Sequence, residues 1–117
     1  MQRLFCKNQK YFYENEYSQI ILGDSFQVLK KLKPESIDMI FADPPYFLSN
    51  GGVTCSGGKM VSVNKGEWDK IGNSSINIID KHRFNRKWIR LCKKALKADG
   101  SIWISGTLHN VYSIGMA

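Results

Sequence analysis

With 117 residues, 43% of them apolar, the chain is long enough for one small domain with a packed core. Cys6, Cys55 and Cys92 are odd in number, far apart and outside any C-x-x-C pair, and His82 and His109 are not spaced as ligands; this disfavours a disulfide framework or a zinc site and favours a reducing, cytoplasmic compartment. The formal charge of +7 bears on partners, nucleic acid ahead of an acidic membrane surface, with a merely basic soluble protein as the alternative.

Residues 1–17 are polar and aromatic without a period and read as an extended, loosely packed arm; they lack the apolar stretch of a signal peptide. "SQIILGD", residues 18–24, predicts a short strand that stops at Gly-Asp. "SFQVLKKLK" predicts a helix, with Phe26, Leu29 and Leu32 at a helical interval, Asp24 or Ser25 as cap and Pro34 closing it. "SIDMIFA", residues 36–42, is nearly continuous in apolar character, as suits a strand of a parallel sheet covered on both faces. Residues 47–77 read as a long irregular stretch with two Gly-Gly pairs, and a loop of that length in a small domain is functional or disordered. "HRFNRKWIRLCKKALKADG", residues 82–100, is the clearest helix. Phe84, Trp88, Leu91, Cys92, Ala95 and Leu96 share a face, Lys93, Lys94 and Lys97 suit its C-terminal end, and Gly100 terminates it. "SIWIS", residues 101–105, is a third strand, and "GTLHNVYSIGMA" begins another apolar element. No apolar run approaches the ~20 residues of a bilayer span. The alternation of strands and helices implies an α/β fold around a parallel sheet with right-handed crossovers.

In open α/β sheets, ligands bind beyond the carboxyl ends of the strands. Asp43-Pro44-Pro45-Tyr46, Gly23-Asp24 and Ser105-Gly106-Thr107 all fall at such ends and are expected to converge on one crevice. The two prolines fix φ and lack an N–H, so they stiffen the segment and leave nearby carbonyls able to accept. An acid, a carbonyl and an aromatic ring form a receptor for a planar heterocycle bearing an amino group, such as a base taken out of its stack. An ordinary Asp-Pro-Pro turn after a strand is the alternative.

"FADPPY" resembles motif IV, (D/N/S)-P-P-(Y/F/W), of the S-adenosylmethionine-dependent amino-methyltransferases. Together with "VSVNKGEWDK", "FNRKWIRL" and "SIWISGTLHNVYSIGMA", the string "SIDMIFADPPYFLSNGG" resembles β-class adenine-N6 DNA methyltransferases of restriction-modification systems, GATC methylases among them, over nearly all of residues 18–117. The resemblance implies a partial doubly wound, Rossmann-like sheet of about three parallel strands with flanking helices. Residues 1–17 would be an arm and residues 18–117 the N-terminal part of the catalytic domain. It implies methyl transfer from S-adenosylmethionine to a flipped adenine of DNA, without metal or covalent intermediate. Asp43 would bind the target amino group and border the cofactor, Pro44 would offer its carbonyl, Pro45 would complete the motif, and Tyr46 would stack on the base through its ring, its hydroxyl being dispensable. Asp24 resembles the acid that holds the cofactor's adenine, with a helix N-cap as a compatible role. Ser105 and Thr107 would line the crevice, while Phe84 and Trp88 read as core. Lys59, Lys65 and Lys70 would touch DNA phosphates, with solvated lysines as the alternative.

The family's Gly-rich loop, F-x-G-x-G, has no counterpart, since none of the ten glycines stand two positions apart. The chain is therefore expected to be the N-terminal portion of such an enzyme, inactive alone, with DNA, a second copy or a complementing C-terminal segment as partner. A catalytically inactive nucleic-acid-binding or subunit-interaction fragment is the alternative. The acid form of motif IV leans toward adenine N6 rather than cytosine N4.

Overall fold

The computed structural model describes residues 4–5, 10–47, 53–62, 66 and 78–117. In chain order the elements are β1 (Tyr13–Glu14), β2 (Gln19–Ile20), α1 (Ser25–Lys31), β3 (Ile37–Ala42), β4 (Val53–Ser56), β5 (Lys59–Ser62), α2 (Ile78–Ala95), β6 (Leu96–Ile104) and α3 (Leu108–Met116). They fall into two compact units, Met1–Phe41 with Trp88–Trp103, and Ala42–Lys87 with Ile104–Ala117. Among the described residues no helix is long and apolar enough to cross a membrane.

In the first unit, the Asn15 side chain accepts the N–H groups of Tyr17 (2.9 Å) and Ser18 (2.7 Å). This Asx turn reverses the chain, and β1 and β2 pair antiparallel with Tyr13 opposite Ile20. The predicted strand over residues 18–24 thus shrinks to two residues and pairs with the arm instead of entering a parallel sheet. Residues 13–17 of the arm, expected to be loose, are held by that turn and pairing. At α1 the Asp24 carboxylate accepts from Phe26 N (2.8 Å) and Gln27 N (3.3 Å), and the helix ends at Leu32 before Pro34.

Strands β3 and β6 pair in a sheet that has two strands among the described residues, where three were expected. Ser36 N donates to Ala95 O (2.8 Å) where the pair begins, and Ser105 N donates to Ala42 O (2.9 Å) where it ends. That pattern requires the two strands to run in the same direction, as expected. Helix α2 buries Trp88, Cys92 and Ala95 in this unit, three or four residues apart on one stripe. The helix starts at Ile78 and stops at Ala95, earlier than the expected end at Gly100. Its last carbonyls are taken by main-chain donors, Glu35 N to Lys94 O (3.1 Å) and Ser36 N to Ala95 O. No αL glycine is therefore needed as a terminator. Gly100 instead lies in β6, where an added Cβ would sit 3.1 Å from the carbonyl oxygens of both Ile37 and Asp38. Lys97 also lies in β6 and pairs with Asp38 at 2.5 Å; the hydrogen bond and charge of Asp38 hold its ammonium above the usual lysine range.

In the second unit, β4 and β5 form an antiparallel hairpin with Ser56 opposite Lys59. Gly57 and Gly58 at its turn have φ of 57° and 78°, the doubly left-handed geometry of a type I′ turn. The stretch expected to be irregular therefore contains a hairpin. Phe47 is 4% exposed and meets the Phe84 ring edge-to-face, centroids 5.3 Å apart. It keeps this position with a φ of 56°, unusual for a bulky residue, so burial of the ring outweighs the local backbone strain.

Candidate active site

Strand β3 ends at Ala42, and the next four residues are Asp43, Pro44, Pro45 and Tyr46. The prolines cannot extend the ladder, and Phe47 anchors the far end of the segment in the second unit. Asp43 is exposed, while Pro44, Pro45 and Tyr46 are half-buried. The segment is thus clamped at both ends and presents its acid to solvent.

The carboxylate of Asp43 is held by two hydroxyls on one oxygen. Tyr46 Oη donates to Asp43 Oδ1 at 2.6 Å, and Ser105 Oγ donates to the same oxygen. Tyr46 Oη and Ser105 Oγ are 3.1 Å apart, and Ser105 Oγ lies 3.3 Å from Ala42 O. Each hydroxyl carries one proton, so a carboxylate accepting both protons satisfies the cluster best. Ser105 follows the end of β6, hydrogen-bonded there to β3, which brings its side chain to the acid.

Behind the segment lies a polar cluster that the sequence reading did not single out. Asn85 of α2 and Asn110 of α3 are 0% and 1% exposed. Asn85 Nδ2 donates to Asn110 Oδ1 (2.8 Å) and to Ser113 Oγ (3.0 Å), and His82 Nδ1 lies 3.4 Å from Ser113 Oγ. Asn110 Nδ2 donates to the Pro45 carbonyl at 3.5 Å. Hydrophobic periodicity passes over such residues, because it scores an Asn on an apolar face as an interruption. The sequence signal was an amide at position 85, one residue after Phe84 and three before Trp88 on the same helix.

Each remaining predicted residue has its own local setting. Asp24 is exposed and caps α1 through Oδ1 alone, so Oδ2 takes no part in the cap. Thr107 precedes α3 without a side-chain cap bond, and its Oγ1 is buried without a hydrogen-bond partner. Lys59 is exposed on β5; Lys65 and Lys70 lie outside the described residues. Trp88 is buried, as expected of a core residue, while Phe84 is half-buried against the Phe47 ring. Among the described residues no group of three or more His, Cys, Asp or Glu is placed to hold a metal ion.

Comparison with known proteins gives the cluster its context. The chain is 59% identical over 108 residues to the Type II methyltransferase M2.LlaDCHI of Lactococcus lactis subsp. cremoris, covering 92% of this chain and 39% of that protein. It is 58% identical over 108 residues to M2.DpnII of Streptococcus pneumoniae, with the same coverage of each. It is 47% identical over 96 residues to M2.MboI of Moraxella bovis, covering 82% of this chain and 34% of that protein. The chain thus spans well under half the length of these curated relatives. A family model described as DNA methylase, N6_N4_Mtase, matches residues 37–117, which include the Asp43-Pro44-Pro45-Tyr46 segment, Ser105 and both buried asparagines. With more than half of its length matched in this way, the chain belongs to the N6_N4_Mtase family of DNA methylases.

Proposed function

We propose that the chain supplies the target-base end of an adenine-N6 DNA methyltransferase that uses S-adenosylmethionine, on a sheet of the Rossmann-like kind. The observation that carries this reading is the exposed Asp43 carboxylate, oriented by Tyr46 and Ser105 at the end of a parallel strand and followed by two prolines. A carboxylate accepts one hydrogen of an exocyclic amino group, and the Pro44 carbonyl takes the other. The Tyr46 ring stacks on the extruded base. An amino nitrogen conjugated to a purine is a poor nucleophile. Two acceptors draw it toward tetrahedral geometry and stabilise the positive charge that develops as its bond to carbon forms, which is positioning plus preorganised electrostatics. Asp43 holds the nitrogen through the transfer, and the proton that the cationic methylated nitrogen must lose passes to solvent.

The family implies a methyl donor, and S-adenosylmethionine supplies an electrophilic methyl on a sulfonium. Asp24 fits its nucleoside end, since the residue is exposed and its second carboxylate oxygen, outside the cap bonds, can accept hydrogen bonds. No segment of the chain fits its methionine end by a G-x-G loop. That same observation favours a second reading, a DNA-binding or subunit-interaction piece that does not itself transfer methyl groups. Lys59 and the +7 charge serve phosphate contact in either case.

The test is methyl transfer from labelled S-adenosylmethionine to adenine-containing duplex DNA, GATC sites included, by the chain combined with a complementing segment that carries an F-x-G-x-G loop, with nucleoside analysis of the product. N6-methyladenine formed by the wild type and lost in Asp43→Asn supports the proposal. N4-methylcytosine as product, or a fully active Asp43→Asn variant, overturns it. DNA binding without transfer favours the second reading.

A further inference from the structure

We propose that Asn110 is a positioning residue for the Asp43–Tyr46 segment and that Asn85 locks it in the required orientation. The inference rests on the reading of Asp43, Pro44 and Tyr46 as the target-base receptor. Two prolines fix φ at positions 44 and 45, so the direction of the Pro44 carbonyl and of the Tyr46 ring depends mainly on ψ at these two residues. A hydrogen bond to the Pro45 carbonyl pins the plane of the Pro45–Tyr46 peptide and removes that freedom. Asn110 Nδ2 makes this bond, at 3.5 Å, from a side chain that is 1% exposed.

The chemistry leaves one orientation for the pair. The Pro45 carbonyl only accepts, so the NH2 of Asn110 must face it. Its Oδ1 then points the other way, and the buried Asn85 Nδ2 donates to it at 2.8 Å while also reaching Ser113 Oγ at 3.0 Å. A buried amide is retained only when its polar atoms are satisfied. The segment is thereby held at two points, the Asp43 carboxylate by Tyr46 and Ser105 and the Pro45 carbonyl by Asn110. Asn110 acts on the substrate through this peptide and does not touch it.

The experiment compares the 117-residue chain, labelled with 15N, with Asn110→Leu and with the double variant Asn85→Leu/Asn110→Leu. Replacing both members of a buried pair by apolar groups of similar shape is close to neutral for stability, so the double variant is expected to melt near the wild type. The backbone amide signals of Asp43, Tyr46 and Phe47 are expected to move or broaden in both variants, and those of β4 and β5 to stay. Unchanged signals at Asp43 and Tyr46 in a folded variant overturn the proposal. In methyl transfer by the chain combined with the complementing segment, kcat is expected to fall about 10- to 100-fold with KM for DNA near the wild-type value, since a displacement of the reacting group of about 1 Å has that effect. A folded variant with wild-type kcat also overturns it. Displaced amide signals in the variants, beside a complemented wild-type chain that moves no methyl group, support the positioning contact and count against the proposed function alone.

Discussion

Tyr46 has two tasks in one side chain. In the proposed receptor its ring stacks on the base, and its hydroxyl donates to Asp43 at 2.6 Å. From the sequence alone Tyr46→Phe is expected to be nearly silent, because the ring is kept; the hydrogen bond changes that expectation. A bond to a charged acceptor is worth about 1.5 kcal/mol, so Tyr46→Phe is expected to lower kcat roughly tenfold. Tyr46→Ala should lose a further 1–3 kcal/mol or so of stacking. Single-turnover methyl transfer ranks the two, and a wild-type rate in Tyr46→Phe would show the hydroxyl idle. The cysteines give a second contrast. Cys55 is exposed, whereas Cys92 is buried and its thiol is pushed up in pKa by desolvation. Only the thiolate reacts, so brief alkylation near neutral pH should modify Cys55 and spare Cys92, as read by peptide mapping.

Among the elements, α1 is seven residues long and leans on its cap. Asp24→Ala removes both cap bonds and should destabilise the first unit by about 1 kcal/mol. Asp24→Asn keeps a capping oxygen and removes the charge. A melting temperature near wild type combined with weakened S-adenosylmethionine binding in Asp24→Asn would separate the structural role from the proposed cofactor role. Equal binding by Asp24→Asn and wild type would leave Asp24 only the cap. Strand β6 has its own sensitive point at Gly100, where the atoms facing a new Cβ include two main-chain oxygens at 3.1 Å that cannot rotate away. Gly100→Ala should cost about 1–3 kcal/mol, seen as a lower urea midpoint with unchanged slope. A variant as stable as wild type would mean that β3 and β6 part freely there.

Across the molecule, the described residues expose many large apolar side chains. Ile20, Leu22, Met39, Phe41 and Trp103 are each at least half exposed in the first unit, Phe41 at 71% and Trp103 at 64%. A sheet of two strands has an open edge on each side among the described residues, and an apolar strand edge is a template for association. The chain on its own is expected to self-associate at micromolar concentration, and Phe41→Ser with Trp103→Ser to weaken this. Sedimentation velocity measures both. A strictly monomeric wild type would show that the exposed side chains are tolerated singly.

The strand over residues 36–42, the parallel pairing with the strand ending at 104, the helix through Trp88 and the place of the acid at a strand end were all legible in the sequence. Each rests on local pattern, namely continuous apolar character, 3.6-residue spacing, or an acid followed by residues that cannot extend a ladder. The Gly57-Gly58 hairpin was legible too, since two left-handed positions between polar and apolar runs specify a type I′ turn; reading residues 47–77 as one loop hid it. Other features depend on residues distant in sequence. The end of α2 is decided by donors at positions 35 and 36, and the strand at residues 19–20 by an Asn15 turn that offers it the arm as a partner. Ser105 and Asn110 reach Asp43 and Pro45 across some sixty residues of chain, and no local pattern encodes a hydrogen bond between side chains so far apart. The residue types at the site are therefore local information. Their orientation, on which the proposed chemistry depends, comes from tertiary contacts.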